Sequence, residues 1–141
     1  MSASVPDDDT LRGVFERTRT IAVVGLSSQP GRPSYRVAAY LQRAGYRIRP
    51  VNPNEREVLG EPAVGSLAEL AEEIDLVDVF RRPAFTPEVA REAVAVGAKV
   101  LWLQLGIANA EAAEIAASGG LTVVMDSCIM VEHRRLAAKG D

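Results

Sequence analysis

The chain has 141 residues, 48% hydrophobic and 25% charged, with a net charge of −3. That length suits one domain that buries a core without disulfide or metal staples, and no apolar run reaches the ~18–20 residues of a membrane span. The mild acidity gives no general pull toward nucleic acid or a membrane, and neither is expected as a partner. A single cysteine makes no internal disulfide, and the acidic start MSASVPDDDT lacks a signal-peptide core, so a cytoplasmic location is expected.

Residues 1–18 read as an N-terminal helical extension, with the helix from Asp7 to about Arg17. From there apolar runs and helical patterns alternate. Thr20–Gly25 (TIAVVG) is short, β-branched and closed by glycine, the pattern of a buried strand. Pro33 to Ala44 predicts a helix, with Pro33 in its first turn, Gly45 as its stop, and Val37, Leu41 and Ala44 on one face. Tyr46–Val51 (YRIRPV) is a second strand, and Pro50 ends it because proline donates no ladder hydrogen bond. After the turn-rich connector NPNEREVLGEP, Ser66–Glu73 predicts a helix with Ser66 and Glu69 as a capping box. Strands follow at Asp75–Phe80, Lys99–Gln104 and Leu121–Met125, and helices at Pro87–Val96, Asn109–Ala117 and Ile129–Ala138.

Strands apolar throughout and separated by helices predict a single Rossmann-like, doubly wound α/β domain over 1–141, with five mainly parallel strands and helices on both faces. Ligands of such sheets bind beyond the carboxyl ends of the strands, at the switch in strand order. The loops after Gly25, Val51, Phe80 and Gln104 are therefore the ones to inspect.

Loop one, LSSQPGRPS, carries Gly25 for a sharp turn, Ser27, Ser28 and Ser34 as hydroxyl donors, and Arg32 and Arg36 at the start of a helix. A helix N-terminus with arginines beside it favours phosphate. Six arginines against one acid, Glu55, between Ser27 and Arg56 add a local positive field; a solvated arginine face is the plainer alternative. Loop two (VNPNE) lacks the acid that holds free ribose hydroxyls in NAD-binding sheets, which counts against NAD and leaves NADP open. Asn52 and Pro53 stand there, and loop three (FRRPAFTP) adds Phe80, Arg81 and Arg82 as a stiff cationic rim. Loop four (QLGIAN) brings Gln104 and Gly106.

Catalytic groups are scarce. His133, the sole histidine, reads as structural or surface, and Cys128 as a small buried residue near a helix start. No His/Cys cluster has metal-ligand spacing, so neither a catalytic residue nor a metal is assigned.

The stretches IAVVGLSS, RVAAYLQRAGYRIRPVNPNE, VLGEPAVGSL, DLVDVFRRP, GAKVLWLQLGI and VVMDSCIMVEH follow one another from about Thr20 to His133. In that order the chain resembles the small stand-alone CoA-binding proteins, which share a Rossmann-like domain with the α subunit of succinyl-CoA synthetase. The resemblance implies coenzyme A or an acyl-CoA at the strand ends. Phosphates would lie on Gly25, Ser27, Ser28 and the Arg32–Arg36 segment. Asn52, Pro53, Phe80, Arg81 and Arg82 would border the nucleotide, and Gln104 and Gly106 the pantetheine. Ligase activity is not carried over, because His133 lies outside any matching context. The expectation is a non-catalytic binding or sensing module, with an unknown protein partner as one use for it. An NADP-dependent oxidoreductase or redox sensor and an interaction module with a vestigial pocket are the alternatives.

Overall fold

The computed structural model describes residues 5–139. Asp7 caps helix α1 (Asp8–Arg17) by accepting the Thr10 N–H at 2.9 Å. Strand β1 (Thr20–Val24), helix α2 (Pro33–Arg43) and strand β2 (Arg47–Val51) follow. The connector folds into a small hairpin, β3 (Glu57–Val58) and β4 (Glu61–Pro62). Next come β5 (Leu76–Val79), α3 (Thr86–Ala95), β6 (Val100–Leu103), α4 (Ala110–Ser118), β7 (Thr122–Val124) and α5 (Ile129–Lys139).

The five long strands form one wholly parallel sheet in the order β2-β1-β5-β6-β7, the Rossmann-like α/β architecture expected. Every residue of β1, β5 and β6 is buried, which explains why these segments show no polar alternation. One face (Ile21, Val23, Leu76, Trp102) packs against Leu11 and Val14 of α1, Val37 and Leu41 of α2 and Ile129 and Leu136 of α5. The other (Ala22, Val24, Val77, Leu103) packs against Val89, Ala90 and Ala93 of α3 and Ala112 and Ala116 of α4. The chain leaves β1 through α2 on one face and β5 through α3 on the other. A crevice therefore opens between the loops that follow these two neighbouring strands.

Three local expectations are corrected. Ser66–Glu73 is not a helix but a single 3₁₀ turn at Leu67–Glu69, and Ser66 caps no backbone group, its hydroxyl meeting only the Glu69 carboxylate at 3.3 Å. Glu72 is drawn instead to Arg49 and Ile74 into the core, which holds the segment open. Ala44 is exposed, and Ala38 takes its place on the buried face of α2. Pro50 does not end β2, because β2 lies at the sheet edge where its missing N–H costs no ladder bond; its carbonyl accepts the Val64 N–H at 3.1 Å as the connector folds back.

Asp78 in the central strand is fully buried between Val23 and Trp102 in register, and no protein group hydrogen-bonds either carboxyl oxygen. Desolvation raises its pKa well above the usual carboxylate range. Below about pH 3.9 the group is neutral in both states. Above that, the unfolded chain ionises while the native one stays protonated, so this residue's contribution to stability falls as pH rises through the raised pKa. Asp78→Asn removes that proton linkage. The variant is expected to gain on wild type in thermal unfolding from pH 5 to pH 8, by roughly 1–3 kcal/mol at the upper end. A gap that does not change with pH would mean Asp78 is ionised in the native state.

Candidate functional site

Gly25 has φ +88° and donates its N–H to the Val51 carbonyl at 2.8 Å. A Cβ built on it would lie 2.4 Å from the Phe80 carbonyl oxygen. Glycine is required here for the left-handed backbone and, more severely, because the strand β5 exit passes directly against it. Helix α2 then starts without a side-chain cap. Arg32 is its N-cap, Pro33 its first residue, and its first turn contains no acid. Arg36 reaches back to the Gly31 carbonyl at 2.8 Å. The result is an open helix N-terminus flanked by two exposed arginines, a favourable place for an anion.

The loop's serines hold its shape. Ser34, buried, accepts the Ser27 N–H at 3.1 Å, and Ser27 accepts the Gln29 N–H at 3.1 Å. The Ser28 N–H donates to the Glu55 carboxylate at 2.9 Å, so an anion supplied by the chain itself already occupies one loop amide. Asn52 ties loop two to loop one by donating to the Leu26 carbonyl at 3.0 Å, while its Oδ1 accepts the Asn54 N–H at 2.9 Å. Pro53 is exposed beside Gly65.

Two cavities flank this turn on opposite faces of the sheet. A notch of about 190 Å³ lies between Val24, Val51, Ser66, Arg81, Phe85 and Glu88. The Arg81 guanidinium stands 4.8 Å from the centre of the Phe85 ring, which is 49% exposed. Arg82 is exposed and lies outside the notch lining. On the other face, a cleft of about 330 Å³ is mostly apolar, with Val37, Phe80, Ile107 and Met130 among its walls and Arg36, Gln104 and Cys128 as its polar groups. Gln104 is buried, and its Oε1 accepts the Ile129 N–H at 3.0 Å, fixing the start of α5. Gly106 (φ +85°) does not line the cleft; its N–H donates to Asp126 at 2.7 Å and shapes the loop.

His133 lies away from both cavities. Its Nδ1 meets the Tyr40 hydroxyl at 2.7 Å, and the rings of Phe15, Tyr40 and Tyr46 surround it edge-on; desolvation lowers its pKa. Among the described residues no group of three His, Cys, Asp or Glu side chains gathers to hold a metal, and no helix is long and apolar enough to cross a membrane.

The site residues the sequence points to thus divide. Gly25, Ser27, Ser28, Ser34, Arg32, Arg36 and Asn52 form one turn, Arg81 lines the notch, and Phe80 and Gln104 line the cleft. Pro53, Arg82 and Gly106 stand at the periphery. Sequence reasoning missed Phe85 and Ser66 in the notch and Ile107 and Met130 in the cleft. Cys128, expected to be simply buried, is half-buried and lines the cleft. The aromatic four residues after Arg81 was the one available signal for Phe85.

Fold and cavities together define a Rossmann-like α/β module with its candidate site at the switch point between β1 and β5. A family model described as the CoA binding domain matches residues 19–134, and the chain belongs to that family. The uncharacterized protein YneT of Bacillus subtilis is 45% identical over 128 residues, covering 91% of this chain and 95% of that one. The α subunit of acetate–CoA ligase (ADP-forming) II from Pyrococcus furiosus is 31% identical over 137 residues, covering 88% of this chain but only 30% of the subunit. A solved structure of a hypothetical protein from Pyrococcus horikoshii OT3 superposes with a TM-score of 0.93 at 37% identity, covering 97% of this chain and 96% of that one.

The contact between Gly25 and Phe80 gives a direct prediction. Gly25→Ala should lower stability by more than about 2 kcal/mol in urea unfolding, combining backbone strain with a clash against main chain that no rotamer relieves. A loss below about 0.5 kcal/mol would mean that the two loops separate freely.

Proposed function

We propose that the protein binds coenzyme A or an acyl-CoA across the β1/β5 switch point and acts as a binding or sensing module rather than as a catalyst. The observation that carries this is the uncapped N-terminus of α2, with Arg32 and Arg36 beside it, set between a notch on one face and an apolar cleft on the other. Coenzyme A has matching parts: a phosphorylated adenosine, a diphosphate, and a long uncharged pantetheine arm whose methyl and methylene groups alternate with two amides. Adenine would stack in the notch against Phe85 and Arg81. The diphosphate would sit on the Gly25–Ser28 turn and the first turn of α2. Pantetheine would run past Phe80 and Gln104, bringing its thiol toward Cys128. The family membership and the ligase relatives support the choice of ligand.

The lack of an acid at the end of β2 accords with this ligand, whose ribose carries a 3′-phosphate. Arg81 in the notch lining and the exposed Arg82 beside it in sequence would supply cations to that phosphate. Glu55 must release the Ser28 N–H for a phosphate to take that amide.

Calorimetric titration with CoA, NADP and ATP tests the ligand. Micromolar binding of CoA with NADP silent is expected, and binding of NADP alone would reject the proposal. Since Cys128 is the only cysteine, alkylation followed by mass spectrometry tests the placement. Saturating CoA should slow its modification at least about tenfold, and an unchanged rate would remove pantetheine from the cleft.

Arg81→Ala combined with Arg82→Ala is expected to weaken CoA by about 10-fold or more, and dephospho-CoA much less, because a charge-assisted hydrogen bond contributes about 1.5–3 kcal/mol. Equal losses for both ligands would exclude contact between this rim and the 3′-phosphate.

A further inference from the structure

A third cavity, of about 450 Å³, lies between α2 and α5. Each of these helices follows a strand of the parallel sheet and packs on the same face, so both begin at the carboxyl edge and run down together. On α2, Arg36, Tyr40 and Arg43 recur at steps of four and three and share one stripe. On α5, Met130 and Arg134 stand one turn apart. Arg36 and Met130 line both this groove and the apolar cleft, so the two spaces adjoin across those side chains.

The groove is cationic by construction. Arg36, Arg43 and Arg134 line it, no carboxylate does, and none of the three forms an ion pair among the described residues. The Arg134 guanidinium lies 5.3 Å from the centre of the Tyr40 ring, whose hydroxyl is held by His133 at 2.7 Å. One of the three cations is thus placed over an anchored aromatic surface. Single exposed arginines are ordinary, but three lining one groove without a counter-charge create a positive field that favours an anion there.

We infer that this groove is the acyl pocket for a CoA thioester whose acyl group ends in a second, free carboxylate. The inference rests on the CoA-binding proposal above. With the thiol near Cys128 and Met130, a group attached to sulfur continues past Met130 into the groove. An aliphatic chain would meet guanidiniums and tyrosine edges there. A terminal carboxylate would meet Arg43 and Arg134, whose guanidiniums donate charge-assisted hydrogen bonds to carboxylates.

Calorimetry with CoA, pentanoyl-CoA and glutaryl-CoA tests this, the two thioesters having acyl chains of equal carbon count with and without the carboxylate. Glutaryl-CoA should bind the wild type at least about tenfold more tightly than pentanoyl-CoA. The double variant Arg43→Gln, Arg134→Gln should erase that gap while leaving CoA within about twofold, with its melting temperature confirming the fold. Equal affinity of the two thioesters for the wild type, with CoA still bound, overturns this inference alone. A variant that loses CoA and glutaryl-CoA in equal measure also overturns it, by giving the groove to one of CoA's own phosphates. Failure of the wild type to bind any CoA compound rejects the underlying proposal as well.

Discussion

The site depends on one close approach, Gly25 against the Phe80 carbonyl. Two neighbouring parallel strands send their chains to opposite faces, and the exits must cross at the sheet's edge without a side chain between them. Because Gly25 has no Cβ, the main chain after β5 lies directly over the turn after β1. That contact brings Phe80 into the wall of the cleft and Arg81 into the wall of the notch. Consecutive residues of one short segment thus serve cavities on opposite faces, as the alternation of an extended chain requires.

The rest of the rim is braced from both sides. Asn52 holds the Leu26 carbonyl, Gln104 holds the first amide of α5, and the Asn109 side chain both caps α4 and donates to the Pro83 carbonyl at 3.0 Å. Each of these amides spans two elements, so the loops are fixed relative to one another by polar groups rather than by apolar burial. Rigid placement of the turn between β1 and α2 follows from this, and it limits the conformational cost of ordering that turn around any ligand. Glu55 fits the same logic: its carboxylate satisfies the Ser28 amide and partly balances the arginines around it.

Most of the architecture was legible because the interior strands have two buried faces, which leaves an apolar run as their signature. Glycines and prolines then mark the ends. The failures occurred where tertiary contacts override local preference. Ser66–Glu69 carries the pattern of a capping box, yet the pull of Arg49 on Glu72 and the burial of Ile74 keep the segment from winding. In the site, Gly25 and Arg81 were legible from position alone, since a loop after a central parallel strand is a functional place in any such sheet. Phe85 and Cys128 were not, because their roles depend on which way a side chain turns after a 3₁₀ turn or a helix start. The arginine groove was equally hidden: Arg36 and Arg43 lie on a helix whose exposed side looks like ordinary solvated surface until α5, far away in sequence, is set beside it.

The arginines between Ser27 and Arg56 are a local composition bias of the sequence, and the structure divides several of them into groups with different chemistry. Arg49 is enclosed by Glu61 and Glu72 and secures the hairpin connector to the sheet edge. Arg32 and Arg36 flank an open helix N-terminus, where the helix dipole and the guanidiniums have the same sign and reinforce one another. Arg43 has no such partner and lines one groove with Arg134 of α5. Like charges brought together without acids are unfavourable for folding alone; Glu55 offsets part of that imbalance at the open turn, while no carboxylate lines the groove. On the proposed reading, one extended anion lying through both places matches this field more economically than two separate ones, because the shared residue, Arg36, lies at their junction.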